Sequence, residues 1–157
     1  MISFDSGPFR FQLRAAAVLL QRDKVLLHRA NDDTFWSLPG GRVEPGEEAA
    51  VTVMREMLEE LGVTVAIERL VWMVENFFHY AGKQQHEVGF YFVVSAAKGS
   101  AVLNETGDFP GVEKTPRLTF RWFSRSELAQ YDIRPAFLAK ALAQDPLQFA
   151  HVVNHDA

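Results

Sequence analysis

The chain has 157 residues, 48% of them hydrophobic and 23% charged, which is enough for one domain, 1–157, with a real core. Its formal net charge of −4 supplies no long-range attraction for nucleic acid or an anionic membrane, so a phosphate-bearing substrate would need a local cation. There is no cysteine, which excludes disulfides, thiolate zinc sites and cysteine nucleophiles and is compatible with a reducing compartment.

The N-terminus, MISFDSGPFRFQLR, lacks the basic-then-apolar layout of a secretory signal. The longest apolar run, Ala15–Leu20, is too short to span a bilayer. A soluble cytoplasmic protein with no membrane partner is the expectation. Phe11–Leu20 reads as a strand buried on both faces, and Lys24–Arg29 as a second strand that forms a hairpin with it. Thr34–Leu38 reads as a short strand ended by Pro39-Gly40-Gly41. A helix is predicted from about Glu47 to Leu61, with Gly62 as its stop signal. Val63–Tyr80 reads as one or two strands and Gln85–Ala96 as a long one. Lys98–Pro116 is polar, carries glycines and prolines, and reads as an irregular loop. Leu118–Phe123 reads as a strand. A short helix over Ser124–Gln130 carries a capping-box pattern, Ser124 with Glu127, and Pro135–Ala143 reads as a last helix. The order predicts an α+β domain with helices packed on a central sheet.

The helix after Gly41 carries the chemistry. On a 100° wheel Ala50, Val51, Met54, Met57, Leu58 and Leu61 cluster on one side, the expected core face. Glu56, Glu59 and Glu60 fall at spacings of 3 and 4 on the opposite side. Their mutual repulsion and the negative end of the helix dipole both oppose this placement. A bound cation reverses both penalties, and hard carboxylate oxygens suit Mg²⁺ or Mn²⁺. Taken alone, E-x-x-E-E is usually just a solvated helix face.

The surrounding spacing decides between these. Gly41 is followed after five residues by Glu47, then after seven by Arg55-Glu56, Met57, Leu58, Glu59-Glu60, Leu61, Gly62 and Val63. This resembles the signature of the Nudix hydrolase family, G-x5-E-x7-R-E-U-x-E-E-x-G-U, where U is a bulky aliphatic. Met57 is the one departure, where the family pattern has Ile, Leu or Val. FWSLPGG (Phe35–Gly41) and RWFSRSEL (Arg121–Leu128) are similar to the family's flanking segments, so the resemblance covers roughly residues 12–143.

The resemblance implies an α/β/α sandwich with a mixed sheet. It implies hydrolysis of a phosphoanhydride bond in a nucleoside diphosphate linked to another moiety. It implies Glu56 and Glu60 as principal ligands of Mg²⁺ or Mn²⁺, Glu59 as a third, and the Gly40 carbonyl as a further one. Arg55 then pairs with Glu47 or contacts phosphate, the former being favoured by analogy. The general base is a motif glutamate or a loop carboxylate: Glu56 first, then Glu105 or Glu113, with Asp108 and Glu59 also open. Phe35, Trp36, Phe77, Phe78, His79 and Tyr91 are candidates to stack on a base, each with core packing as its ordinary role. A zinc site at His79 and His86 lacks further ligands, and Glu87 is left undecided between recognition and an edge charge. The complete set of Glu47, Arg55, Glu56, Glu59 and Glu60 favours an enzyme over a nucleotide-binding module that keeps the fold without catalysis. The partner expected is a small nucleotide-type molecule rather than nucleic acid. Homodimers are common among look-alikes, and oligomeric state stays open.

Overall fold

FRFQLRAAAVLLQ forms a single 13-residue strand in the computed structural model, which describes residues 1–156. This strand, β2 (Phe9–Gln21), follows β1 (Ser3–Ser6) and precedes β3 (Lys24–Ala30) and β4 (Gly40–Arg42). Then come α1 (Ala49–Leu61), β5 (Val65–Tyr80), β6 (Lys83–Ala96), β7 (Phe109–Pro110), β8 (Leu118–Ser124), α2 (Leu138–Ala141) and β9 (Ala150–His155). The main sheet runs β7-β8-β3-β2-β6-β5-β9, with β1 and β4 added to β2. It is mixed: β2–β6 and β5–β9 are parallel, and the other pairs are antiparallel.

The apolar half of β2 is covered on both faces, as its unbroken run predicts. Ala15, Ala17 and Leu19 enter one core with Leu26, Val53, Met57 and Phe120. Ala16 and Val18 enter the other with Leu27, Trp36, Leu128, Leu138 and Leu142. The strand period of two sorts them. α1 closes the first layer and the α2 segment closes the second, giving the α/β/α sandwich. No helix among the described residues is long and apolar enough to cross a membrane.

The β2–β3 hairpin forms as expected, through Leu20↔Val25 and Gln21↔Lys24. Gly62 ends α1 at φ 67, its N–H donating to the Leu58 carbonyl at 2.8 Å, which is the stop its position predicts. Several expectations are corrected. Thr34–Leu38 forms no strand, only isolated bridges of Ser37 to His28 and Trp36 to Ile133, because Trp36 turns into the core against Phe123. The Ser124 hydroxyl faces Ser126 and caps nothing, so Arg125–Gln130 is a 3-10 turn. The last helix shortens to Leu138–Ala141. The Lys98–Pro116 loop contains a 3-10 turn at Ala101–Asn104 and β7. β1, β4 and β9 are short strands beyond those expected.

The largest correction concerns α1, whose apolar stripe does not face the core. Val51, Met54 and Leu58 are 39%, 38% and 55% exposed, and of the stripe only Met57 is fully buried. The buried positions are Thr52, Val53, Met57 and Glu60. Val53, Met57 and Glu60 follow the i, i+4, i+7 line of one helix face, and that face meets β2 and β4.

Candidate active site

β4 lies flat on β2, with Ala16 opposite Gly40, Ala15 opposite Gly41 and Arg14 opposite Arg42. A Cβ on Gly40 would come 2.1 Å from the Ala15 carbonyl oxygen. One on Gly41 would come 2.3 Å from the carboxyl carbon of Glu56. Gly40 therefore lets β4 approach the backbone of β2, and Gly41 lets the Glu56 carboxylate settle on bare backbone.

Arg55 ties this corner together. Its Nε and Nη2 donate to the two carboxylate oxygens of Glu47 at 2.8 and 3.0 Å, a bidentate fork. Its Nη1 donates to Glu56 at 2.8 Å and to Glu59 at 3.3 Å, and its Nη2 reaches the Arg42 carbonyl at 3.3 Å. Thr52 Oγ1 donates to Glu47 at 2.6 Å. The Arg55 guanidinium, helped by Thr52, holds the Glu47 carboxyl down at about 2. Burial pushes Glu56 up, against the opposing pull of Arg55.

Glu60 has the opposite setting. It is 5% exposed, and burial pushes its carboxyl up to about 9. Its Oε2 has no hydrogen-bond partner, and neither has Nδ1 of His28, 3.9 Å away. Burial holds the His28 imidazole down at about 3, so the ring is neutral. An unpaired buried polar group costs roughly 1–3 kcal/mol. The positive charge of Arg14 opposes this rise at Glu60 and also pulls down Glu56 and Glu87. Arg14 Nη2 is anchored on the Leu38 carbonyl at 2.9 Å.

These groups line one end of a cavity of about 620 Å³, within the range of small-molecule sites. Its floor is the sheet: Arg10, Gln12 and Arg14 from β2, Asn76, Phe78 and Tyr80 from β5, and Gln85, Glu87 and Tyr91 from β6. Gln12 Nε2 donates to Glu87 at 2.6 Å, and Arg42 Nε donates to Oε1 of the Gln12 side chain at 2.8 Å. Asn154 donates to Asn76 at 2.9 Å. Glu87, open between two roles in the sequence, is buried in this network, and burial raises its carboxyl pKa.

Of the predicted site residues, Gly40, Glu56, Glu59 and Glu60 all line the cavity, and the Arg55–Glu47 pair forms beside it. The acid face does not point away from the core. Only Glu59 is exposed; Glu56 is half-buried and Glu60 buried, because the cavity lies under the end of α1. Among the described residues no three His, Asp or Glu side chains stand in ready ligating geometry, and Arg55 takes an oxygen from each of Glu56 and Glu59. Of the loop acids, Glu113 lines the cavity while Glu105 does not, and Asp108 is paired with Arg121 at 2.5 Å. Phe35, Phe78, His79 and Tyr91 line it as well; Trp36 is core, and Phe77 stacks on His155 at 4.7 Å. Sequence reasoning missed Arg14, Gln12 and His28. The signal for the first two was the alternation of Arg10, Gln12 and Arg14 with Phe9, Phe11 and Leu13, a polar strand face.

The chain matches the NUDIX domain model over residues 10–144. It is 30% identical to the nucleoside triphosphatase NudI of Escherichia fergusonii over 132 residues, covering 75% of this chain and 86% of that one. It is 46% identical over 59 residues to a putative 8-oxo-dGTP diphosphatase of Bacillus subtilis, covering 38% of this chain and 40% of the relative. The match thus spans well under half the length of that Bacillus relative. Among solved structures, the mutator MutT protein of Bacillus halodurans superposes with a TM-score of 0.65 at 22% identity, covering 92% of this chain and 89% of that chain. The MutT NUDIX hydrolase of Burkholderia pseudomallei gives a TM-score of 0.61 at 26% identity, covering 85% and 97%. The glycine-bedded acids, the Arg55–Glu47 fork and the matched span agree: this chain belongs to the NUDIX family.

Proposed function

We propose that the chain is a divalent-metal-dependent pyrophosphohydrolase that cleaves a phosphoanhydride bond in a nucleoside diphosphate linked to another moiety. One observation carries this reading: a buried, partnerless carboxylate oxygen of Glu60 stands with Glu56 and Glu59 at one end of a cavity of about 620 Å³. An orphaned hard oxygen among carboxylates fits Mg²⁺ or Mn²⁺, and the Gly41 cradle leaves room for Glu56 beside it. The names of the relatives, a nucleoside triphosphatase and a diphosphatase of a modified dGTP, support nucleotide substrates.

In this reading Glu56 and Glu60 hold the ion, with Glu59 and the Gly40 carbonyl completing the set. When bound, the ion would neutralise phosphate oxygens and acidify a water molecule. The other roles belong to the chain itself. Arg14 offers a fixed cation to the phosphates from the sheet side. Arg55 acts through others: clamped by Glu47, it fixes the positions of Glu56 and Glu59 and offsets their repulsion. Glu56, beside the ion, is the preferred group to take a proton from water, and Glu113 is the loop carboxylate that remains in reach of the cavity. Glu105, away from the cavity, drops out.

The test is a panel of nucleoside triphosphates, ADP-ribose, nucleotide sugars and dinucleoside polyphosphates, scored for released phosphate or nucleotide with Mg²⁺ or Mn²⁺. Turnover of at least one compound that EDTA abolishes is expected. Turnover that persists in EDTA, or no turnover across the panel, overturns the reading.

A further inference from the structure

We propose that His28 is a ligand of the divalent ion at the acidic end of the cavity, donating through Nδ1 alongside Glu60, and that it gives the site a preference for Mn²⁺ over Mg²⁺. This rests on the metal-dependent reading above. Among the described residues the two buried side-chain polar atoms without a partner are His28 Nδ1 and Glu60 Oε2, and they face each other at 3.9 Å. That separation is too long for a hydrogen bond. Interiors rarely leave one such atom orphaned, and two facing orphans point to a shared third atom.

The surroundings fix the imidazole without satisfying it. His28 exchanges both backbone hydrogen bonds with Ser37 at 2.8 Å, which pins the end of β3 beside the cavity. Its ring packs on Phe120 with centroids 5.4 Å apart. The side chain is 7% exposed and follows Leu26 and Leu27, a stretch where packing alone would be served by another aliphatic residue. A buried imidazole is neutral and has a lone pair to give. Two metal–ligand bonds of ~2.1 Å add to ~4.2 Å, so one ion can touch both atoms with little movement of either side chain. Nitrogen donors are poor partners for Mg²⁺ and better ones for transition metals, which is the source of the Mn²⁺ preference. A water hydrogen-bonded to both atoms is the competing occupant, and it places no nitrogen on the metal.

The experiment is Mn²⁺ binding followed by electron paramagnetic resonance on the full chain, with no substrate and no turnover. Loss of the free Mn²⁺ signal gives the affinity, and electron spin echo modulation reports nitrogen bonded directly to the ion. The wild type should show nitrogen modulation that changes to the ¹⁵N pattern when the protein carries ¹⁵N-histidine. This measurement needs no variant, so a folding defect cannot shelter the proposal. His28→Gln should abolish the modulation and weaken Mn²⁺ at least ~10-fold, while Mg²⁺, measured by competition, weakens far less. Glu60→Gln should weaken both ions. If Mn²⁺ binds the wild type and Glu60→Gln weakens it, yet no nitrogen modulation is seen, His28 is not a ligand and the acidic metal site stands. Modulation that survives His28→Gln overturns the proposal as well. If Mn²⁺ does not bind the wild type at millimolar concentration, the metal-dependent reading itself falls.

Discussion

On the side of α1 that meets the sheet sit Thr52, Val53, Met57 and Glu60, all buried, with Glu56 half-buried next to them. On the side that meets solvent sit Val51, Met54 and Leu58. Burying an exposed aliphatic side chain stabilises by roughly 1.5–3 kcal/mol, so stability alone would turn the helix the other way. Leu58 and Glu60 are about 200° apart on the helix, and any rotation that sank Leu58 would lift Glu60 out of the cavity. The helix is turned so that Glu56 and Glu60 reach the cavity, while Val51, Met54 and Leu58 stay exposed. This is the local conflict expected where a site overrides a folding rule.

The strongest test of the inward side is Glu60→Gln. The amide has the shape of the carboxyl that burial keeps protonated, so the fold should be retained in EDTA. As a ligand loss, it should lower metal-supported kcat by about 10²–10³-fold, the rate equivalent of several kcal/mol. Steady-state kinetics beside thermal melts separates the two effects. Wild-type turnover in this variant would sink the ligand assignment.

Arg55 stands at the border between the two sides. Arg55→Lys keeps the charge but loses the fork on Glu47 and the reach to Glu56 and Glu59. A fall of about 10–100-fold in kcat/KM is expected, with roughly 1–3 kcal/mol lost in urea unfolding. Unchanged kinetics with lowered stability would make Arg55 a structural brace only.

Much of this was legible in the sequence, and the failures share one cause. The box spacing from Gly41 to Val63 singled out Glu47, Arg55, Glu56, Glu59 and Glu60, which the fold gathers at one corner, and the apolar run of β2 announced a strand covered on both faces. The wheel failed because it assumes that the inward side of a helix is the apolar one. Here a polar cavity lies under the end of α1, built by Arg14, Gln12 and Glu87 from strands distant in the chain. His28 carried no local signal, since Glu60, which it faces, lies 32 residues away (60 − 28) and only the packing of α1 on the sheet brings them together. β1, β4 and β9 were missed because they are 4, 3 and 6 residues long and take their strand character from their neighbours.

The pH dependence of stability sharpens the contrast between the two acid settings. The Glu60 carboxyl is raised from 4.5 to about 9 in the folded chain. Its favourable contribution is therefore complete below about pH 4.5 and declines as pH rises through 9. The Glu47 carboxyl is lowered from 4.5 to about 2, so its contribution is present above about pH 4.5 and lost as pH falls toward 2. In EDTA, the wild type should lose several degrees of Tm between pH 5 and 9 relative to Glu60→Gln. Parallel Tm curves over that window would contradict the burial of an unpaired Glu60.

The smallest effect is expected on the solvent side. Leu58 is 55% exposed, and Lys in its place keeps helix propensity and sets a cation in the last turn, where the helix dipole favours it. Leu58→Lys should change unfolding free energy by less than about 0.5 kcal/mol and leave kcat alone. Met57→Ala, one residue away and fully buried, should cost about 2–5 kcal/mol. The pair, measured by urea unfolding, decides which way α1 faces in solution. A cost for Leu58→Lys as large as that for Met57→Ala would mean that Leu58 is covered, and with it that Glu60 has turned away from His28 and the cavity.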